Sequence, residues 1–440
     1  MKNTLTIFGV LFLAISMVMP AYAIEHQLGG YVRVRTYTAG DWTANDSDSS
    51  KTRSQADSRS HITYTAKINE DFAVYTELRM DSIFGSDAEG KQSGLSGVTP
   101  VTLKLQHSYM DFKLNETNIL VGKQSFFEAR GLLLYDAAPG IRIKCPLSDQ
   151  LTLDAKWIKF GEGGQGDNAH QDVDTFAITP EIKLNDNIKI KPYLWYATSR
   201  GMNNGGKTWN WWWSDINQLS DLDMYYLGFD FDATMGNASI WFTTLYQAGS
   251  ANIAQANTDD WNGIGSVDFS GIAALGGGSL NLGKITLSGQ LFFASGDDEK
   301  DDKIEQFFSA EAGYYYWSEI MGLGSNDDDV PNNIGWSLSN IMGGGGTLGF
   351  CATDDINLTF GLWYAAAVED FQGQTGLVEA DDYGIEVNAM LDYSLMDNLS
   401  LSLIGAYVMA GDAMTEENVE GSNIEGADPY FMQAQIKASF

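Results

Sequence analysis

Asp428-Pro-Tyr-Phe-Met-Gln-Ala-Gln-Ile-Lys-Ala-Ser-Phe440 closes the chain, and its alternate positions fall into two classes. Tyr430, Met432, Ala434, Ile436, Ala438 and Phe440 are apolar. Phe431, Gln433, Gln435, Lys437 and Ser439 between them are mostly polar. A period of two gives a strand one oily face and one wet face. Working outward, the same alternation recurs: Phe72, Val74, Thr76, Leu78 and Met80; Ile188, Ile190, Pro192, Leu194 and Tyr196; Ile356, Leu358, Phe360, Leu362 and Tyr364. The row from Tyr383 through Ile385, Val387, Ala389, Leu391 and Tyr393 to Leu395 is the longest. Runs of about 9–13 residues match the length with which a tilted strand crosses the hydrocarbon of a bilayer. One such strand would also suit a soluble sandwich; the repetition is what separates the two.

The connections between these strands come in two kinds. Short polar turns sit at Asn69-Glu70-Asp71, Asn115 to Asn118, Ser148-Asp149, Asn185-Asp186-Asn187, Gly236-Asn237, Gly283-Lys284, Asp354-Asp355 and Asp397-Asn398. Each offers Asn, Asp, Ser or Gly for turn geometry. Long polar segments alternate with them, near 38–58, 82–100, 125–139, 161–171, 200–221, 248–266, 296–338, 368–380 and 411–427. Alternating short and long connections, counted through, imply an all-β, transmembrane antiparallel β-barrel of about 18 strands, with 16 also within reach. Two places read poorly. Thr102 to Leu114 changes parity midway, and Gly276-Gly277-Gly278 interrupts its strand.

Composition agrees. The 440 residues carry 58 acidic and 26 basic side chains, a formal net charge of −32, which makes a nucleic-acid partner unexpected. Aromatics at 12% exclude a disordered acidic chain, and 47 glycines against 8 prolines suit sheet better than helix. Trp157, Phe160, Trp195, Tyr196, Tyr364, Tyr393 and Tyr407 near strand ends are expected to form interfacial girdles, although Trp195 falls on the wet face by parity. At the start, Lys2, an apolar run from Ile7 to Met19 and Ala21-Tyr22-Ala23 read as a signal peptide over residues 1–23. That run is too short to span a bilayer as a helix. Residues 24–440 would then be the exported barrel.

If the oily rows face lipid, the intervening residues face the lumen. On the first half these include Arg33, Arg35, Arg59, Lys67, Arg79, Arg142, Lys144, Lys156, Lys183, Lys189 and Lys191. Through residue 207 there are 22 basic and 23 acidic residues; beyond it there are 4 and 35. A basic wall is therefore expected opposite an acidic one contributed by Glu77, Asp230, Asp232, Glu386 and Asp392, with a transverse field that orients charged or zwitterionic solutes. The competing reading is that the bases pair with nearby acids and merely keep the lumen wet. The third long segment, Gln124 to Tyr135, is unusually apolar for a solvent-exposed loop. With Phe126, Phe127, Glu128 and Arg130, it is expected to fold into the barrel and narrow it, or else to pack on a neighbouring subunit. Trp209-Asn210-Trp211-Trp212-Trp213 suits packing of its own loop better than stacking on sugars.

Resemblance adds to this reading. Chains that end on Phe after an alternating strand resemble bacterial outer-membrane proteins, which implies that Phe440 is a signal to the barrel-assembly machinery. His107-Ser-Tyr109-Met-Asp111-Phe112, followed by Leu120-Val121-Gly122-Lys123-Gln124-Ser-Phe126, resembles a feature of large Gram-negative porins. In those proteins a Tyr-containing strand precedes a Gly-Arg-Gln-type strand that opens into an internal loop; here Lys123 stands where Arg is more usual. The whole chain is similar to substrate-specific porins of the alginate-export type. The resemblance implies an outer-membrane diffusion channel with a basic-lined lumen, surrounded by lipid and lipopolysaccharide, and a homotrimer is compatible with it.

Other functions find less support. Hydrolases need a His-centred dyad or triad. The four histidines, His26, His61, His107 and His170, lie near no nucleophile motif, so no enzyme is expected. Cys145 and Cys351 are expected to stay reduced. No cofactor is expected; acidic segments such as Asp297-Asp298-Glu299 and Asp327-Asp328-Asp329 could hold Ca or Mg, but none has EF-hand spacing. The remaining alternative is a structural barrel or sheath around a partner, such as an electron-transfer protein.

Overall fold

The computed structural model describes residues 24–41, 52–86, 101–162, 172–200, 219–253, 265–297, 302–310, 315–322, 324, 338–369, 381–415 and 426–440. The expected signal peptide, the Trp-rich segment 209–213, His170 and most of the acidic clusters lie outside these residues.

Eighteen strands make one closed antiparallel sheet. They are β1 (Glu25–Gly40), β2 (Arg53–Asn69), β3 (Phe72–Ile83), β4 (Leu103–Leu114), β5 (Thr117–Glu128) and β6 (Leu134–Ser148). Next come β7 (Leu151–Gly161), β8 in two pieces (Val173–Ile178 and Glu181–Asn185), β9 (Ile188–Arg200), β10 (Leu219–Met235) and β11 (Ala238–Ile253). The circuit continues through β12, also in two pieces (Ser266–Phe269 and Ile272–Asn281), β13 (Ile285–Ala294), β14 (Ile341–Cys351), β15 (Ile356–Ala366), β16 (Asp382–Met396), β17 (Leu399–Ala410) and β18 (Tyr430–Ser439). Each strand pairs with the next, and β1 pairs with β18 from Tyr31↔Ser439 to Gly40↔Tyr430. Closure leaves no free sheet edge along most of the circumference, which is what a β-structure needs in lipid.

The alternation behaves as the sequence implies. On β1, Val32 and Val34 are 41% and 42% exposed on the outer face, whereas Arg35 between its oily neighbours is 2% exposed on the inner one. All eight short turns join strands at one end and the nine long connections join them at the other. Several strands reach 15–17 residues, longer than crossing the hydrocarbon of a bilayer requires.

The two poorly readable places have physical explanations. Glu77 pairs with His107 but Leu78 pairs with Leu105, so Gln106 is an extra residue that flips the parity of β4. In β12 the strand runs unbroken through Gly276–Gly278, and the break falls earlier, at Ser270 and Gly271. Other expectations shift by one face. Trp195 is fully buried and Phe160 packs against the same interior cluster, so neither belongs to a girdle. Tyr383 also turns inward: the register slips between Ala365 and Ala366, and Gly384 takes φ 113°.

Candidate functional site

The third long connection is not a loop over 125–139. The strands run on to Glu128 and resume at Leu134, paired from Asn118↔Lys144 to Glu128↔Leu134. Yet β4 stops pairing with β5 at Ser108↔Lys123, and β6 stops pairing with β7 at Gly140↔Ile158. Residues 124–138 are therefore a two-stranded ribbon, detached from both neighbours. Two glycines sit where it departs. Gly122 has φ 132°, and a Cβ there would lie 2.3 Å from the Ser108 carbonyl; one on Gly140 would lie 2.3 Å from that of Trp157.

The ribbon crosses the inside of the barrel to strands three to six places away. At its tip Ala129 and Arg130 both take left-handed backbone (φ 51° and 57°). Tyr193 Oη on β9 accepts the Ala129 N–H at 3.0 Å and itself donates to Asp230 on β10. Arg130 donates to Asp232 of β10 at 2.7 Å and to Thr243 of β11 at 3.0 Å, with its guanidinium 4.5 Å from the ring centre of Trp241. Glu128, fully buried, receives Lys156 of β7 at 3.0 Å and Lys191 of β9 at 2.7 Å. Phe126 is buried against the wall, whereas Phe127, on the opposite face of the ribbon, is 54% exposed.

A second inward segment has no counterpart in the sequence reading. Part of the long β13–β14 connection packs on the first: the Ala310 N–H donates to Leu133 O at 3.0 Å, and the rings of Tyr135 and Tyr316 meet edge to face. Phe307, Ile320 and Met321 are fully buried with Leu132–Leu134 in one cluster. The carboxylate of Glu386 on β16 accepts the backbone N–H groups of Glu319 (2.8 Å), Ile320 (3.1 Å) and Met321 (2.9 Å). Tyr315 donates to Gln290 at 2.7 Å, and burial pushes its phenol up, which keeps the donor protonated. The signal was present: Phe307-Phe308, Tyr314-Tyr315-Tyr316-Trp317 and Ile320-Met321 form an apolar island between two acidic stretches.

Most of the cations on β1 to β9 meet a carboxylate on the same stretch of wall. Arg33 and Arg35 meet Asp57, with Arg35 at 2.8 Å. Arg59, Arg79 and Lys104 converge on Asp81 at 2.7, 2.9 and 2.9 Å. Arg142 and Lys156 share Asp154. Among the described residues Lys144 and Lys189 form no ion pair; Lys189 stands across from Asp232 in the β9–β10 register. The acidic residues are largely engaged. Glu77 accepts from His61 and His107 and from Tyr75 Oη; Asp230 from Tyr193 and Thr243; Asp392 from Ser402. Glu386 is spent on backbone amides. Asp232 remains the most accessible of the five, its side chain 52% exposed. Phe440 closes the cylinder, its N–H and C=O both bonded to Gly30 at 3.1 and 3.0 Å.

Comparison with known proteins places this architecture. No family model matches the chain, and no curated protein matches its sequence. Solved structures do. OccK8 (OprE) of Pseudomonas aeruginosa is similar with a TM-score of 0.56 and 9% identity, over 94% of this chain and 98% of that one. OpdK of the same organism, solved with vanillate, gives 0.56 and 10% over 94% and 98%. OccAB1 of Acinetobacter baumannii gives 0.55 and 12% over 94% and 97%. The fold is therefore the closed 18-stranded barrel of the Occ/OprD outer-membrane proteins, shared at an identity that speaks to architecture alone.

Proposed function

We propose that the protein is an outer-membrane porin: a water-filled channel through which small hydrophilic solutes diffuse passively, with a preference for charged or zwitterionic ones. The observation that carries this reading is the inversion of the barrel. Its outer face is apolar, its inner face holds Arg33, Arg35, Arg59, Arg79 and Lys104, and two segments of its own chain narrow the interior. Guanidinium groups in a row suit carboxylates through paired hydrogen bonds. Vanillate, the ligand solved with OpdK, is such a carboxylate.

In this reading the ribbon tip at Glu128 and Arg130 is the constriction, and the residues of the basic wall conduct anionic groups past it. Because most of those bases are locally neutralised, Lys144 and Lys189, which form no ion pair among the described residues, are the cations left to a passing anion. A sheath for a partner protein fits less well, since the interior is already packed with the chain's own Leu132–Leu134, Phe307 and Ile320. The three described histidines bond to side chains of the wall: His61 and His107 bracket Glu77, and His26 bonds Tyr64. Lipid, lipopolysaccharide and the assembly machinery are the partners this reading requires.

Single-channel recording in a planar bilayer tests it. The protein should pass ions, and Arg33→Glu with Arg79→Glu should shift the reversal potential in a KCl gradient toward cations. Unchanged reversal potentials would remove these arginines from the pore wall. A closed barrel would favour the sheath.

A further inference from the structure

Opposite the cationic strands, two consecutive rungs of the wall are built quite differently. Following the register around, Trp241 of β11 pairs with Gly277 of β12, Gly277 with Gln290 of β13, Gln290 with Gly345 of β14, and Gly345 with Trp363 of β15. One step closer to the short turns, the rung reads Ser239, Ser279, Ser288, Thr347 and Gly361. Both rungs share the parity of Asp232 and Glu386, their neighbours in register on β10 and β16, so they face the interior.

The glycines are floors for the indoles. A Cβ on Gly277 would lie 2.5 Å from Trp241 Cζ2, and one on Gly345 would lie 2.5 Å from Trp363 Cε3, so each ring lies flat along the wall. Between the two rings the wall carries the Gln290 side chain. The space in front of it measures about 240 Å³ and is lined by Ser239, Trp241, Ser279, Ser288, Gln290, Thr347 and Trp363 among others, none of them charged. That is less than the ~300–1,000 Å³ of sites for drug-sized ligands, and suits a single ring.

A polar atom also waits there. Trp363 is 6% exposed, and its indole N–H has no acceptor. It lies on the side of the hydroxyl rung, where a Cβ on Gly361 would come within 2.8 Å of it. A buried indole N–H normally finds a partner. Tyr315 occupies the Gln290 oxygen, leaving the amide N–H groups as donors to the trough.

We propose that this trough is a saccharide-binding subsite: a polyhydroxylated ring sits between the indoles of Trp241 and Trp363, in front of Gln290, and exchanges hydrogen bonds with Ser239, Ser279, Ser288, Thr347, Gln290 and the Trp363 N–H. The inference rests on the channel reading above and adds a substrate class to it. The apolar indoles bound the trough at both ends while small hydroxyl side chains take the rim of a sugar ring, and an uncharged lining does not demand an ionised ligand. Arg130, over Trp241, stands at one end of the trough, next to Asp232.

Block of single-channel current by D-glucose provides the test, with glycine as a zwitterion lacking a ring. Each variant is normalised to its own open current. Glucose should block the wild-type channel, and Ser288→Phe, which fills the trough, should raise the half-blocking concentration at least tenfold. Glycine should show no such change. Trp241→Ala, which removes one end of the trough without adding bulk, should weaken glucose block in the same direction and serves if Ser288→Phe fails to assemble. Absence of glucose block in an open wild-type channel, an unchanged half-blocking concentration, or an equal change for glycine overturns the subsite while leaving the channel standing. A barrel that carries no current at all fails at the earlier step and takes the subsite with it.

Discussion

Arg130, at the tip of the ribbon between β5 and β6, is joined to Asp232 of β10 by a 2.7 Å ion pair that crosses the barrel interior. The residues are 102 positions apart and on strands that never pair. Both side chains remain partly open to solvent, so the contact is worth about 0.5 kcal/mol or less to stability. Its value is positional. Asp232→Asn should leave thermal unfolding in detergent shifted by no more than about 0.5 kcal/mol, while open-channel current noise rises as the tip loses one anchor. A quiet channel in this variant would show that Tyr193 and Glu128 hold the tip unaided.

Glu386 should behave in the opposite way. It is fully buried and accepts three backbone N–H groups from residues 319–321. Hydrogen bonds to a charged group contribute about 1.5–3 kcal/mol each. Glu386→Ala should release the second inward segment, read as new chymotryptic cleavage near Tyr315 or Trp317 in an otherwise intact barrel. Protection equal to wild type would mean that the apolar cluster suffices.

Gly122→Val places a branched side chain on left-handed backbone, 2.3 Å from a carbonyl oxygen. Strain of this kind costs on the order of 1–3 kcal/mol before the clash is counted. The ribbon should fail to turn inward, and the yield of the heat-modifiable form on gels should fall several-fold. Normal yield with wild-type conductance would count against Gly122 as the bending point.

Removal of Phe440 deletes two hydrogen bonds to Gly30 at the seam between β18 and β1. Assembly into membranes in cells should fall more steeply than the stability of whatever barrel does form. Equal losses in both would assign Phe440 to seam strength rather than to recognition by the assembly machinery.

Strand number and the two kinds of connection were legible because turn residues and alternation repeat many times, and errors at one strand do not spread. The parity change around Gln106 was visible, but a single extra residue has no signature of its own; it shows only in the partner's register. The ribbon was half legible. Its apolar composition marked an inward path, while its continued strand pairing depends on Gly122 and Gly140 releasing both neighbours. The wall charges resolve in the sequence only into a basic and an acidic half, because sequence shows signs and not distances. Asp57, Asp81 and Asp154 each sit within 3.5 Å of the bases they neutralise. In the sequence Glu386 is one more acid of the lumen wall, since nothing in its own strand announces three amides arriving from 65–67 residues away.

Where the ribbon turns inward, the wall it leaves is two strands poorer. Beyond Ser108 on β4 and Ile158 on β7, the pairing with β5 and β6 stops and no other strand takes it up among the described residues, while Lys123 reaches Leu105 O at 3.1 Å. At ordinary spacing this is a slit of roughly 10 Å in the upper rim. Unzipping of the cylinder should begin at that longitude, which makes the mouth's own stopper the origin of its weakest seam.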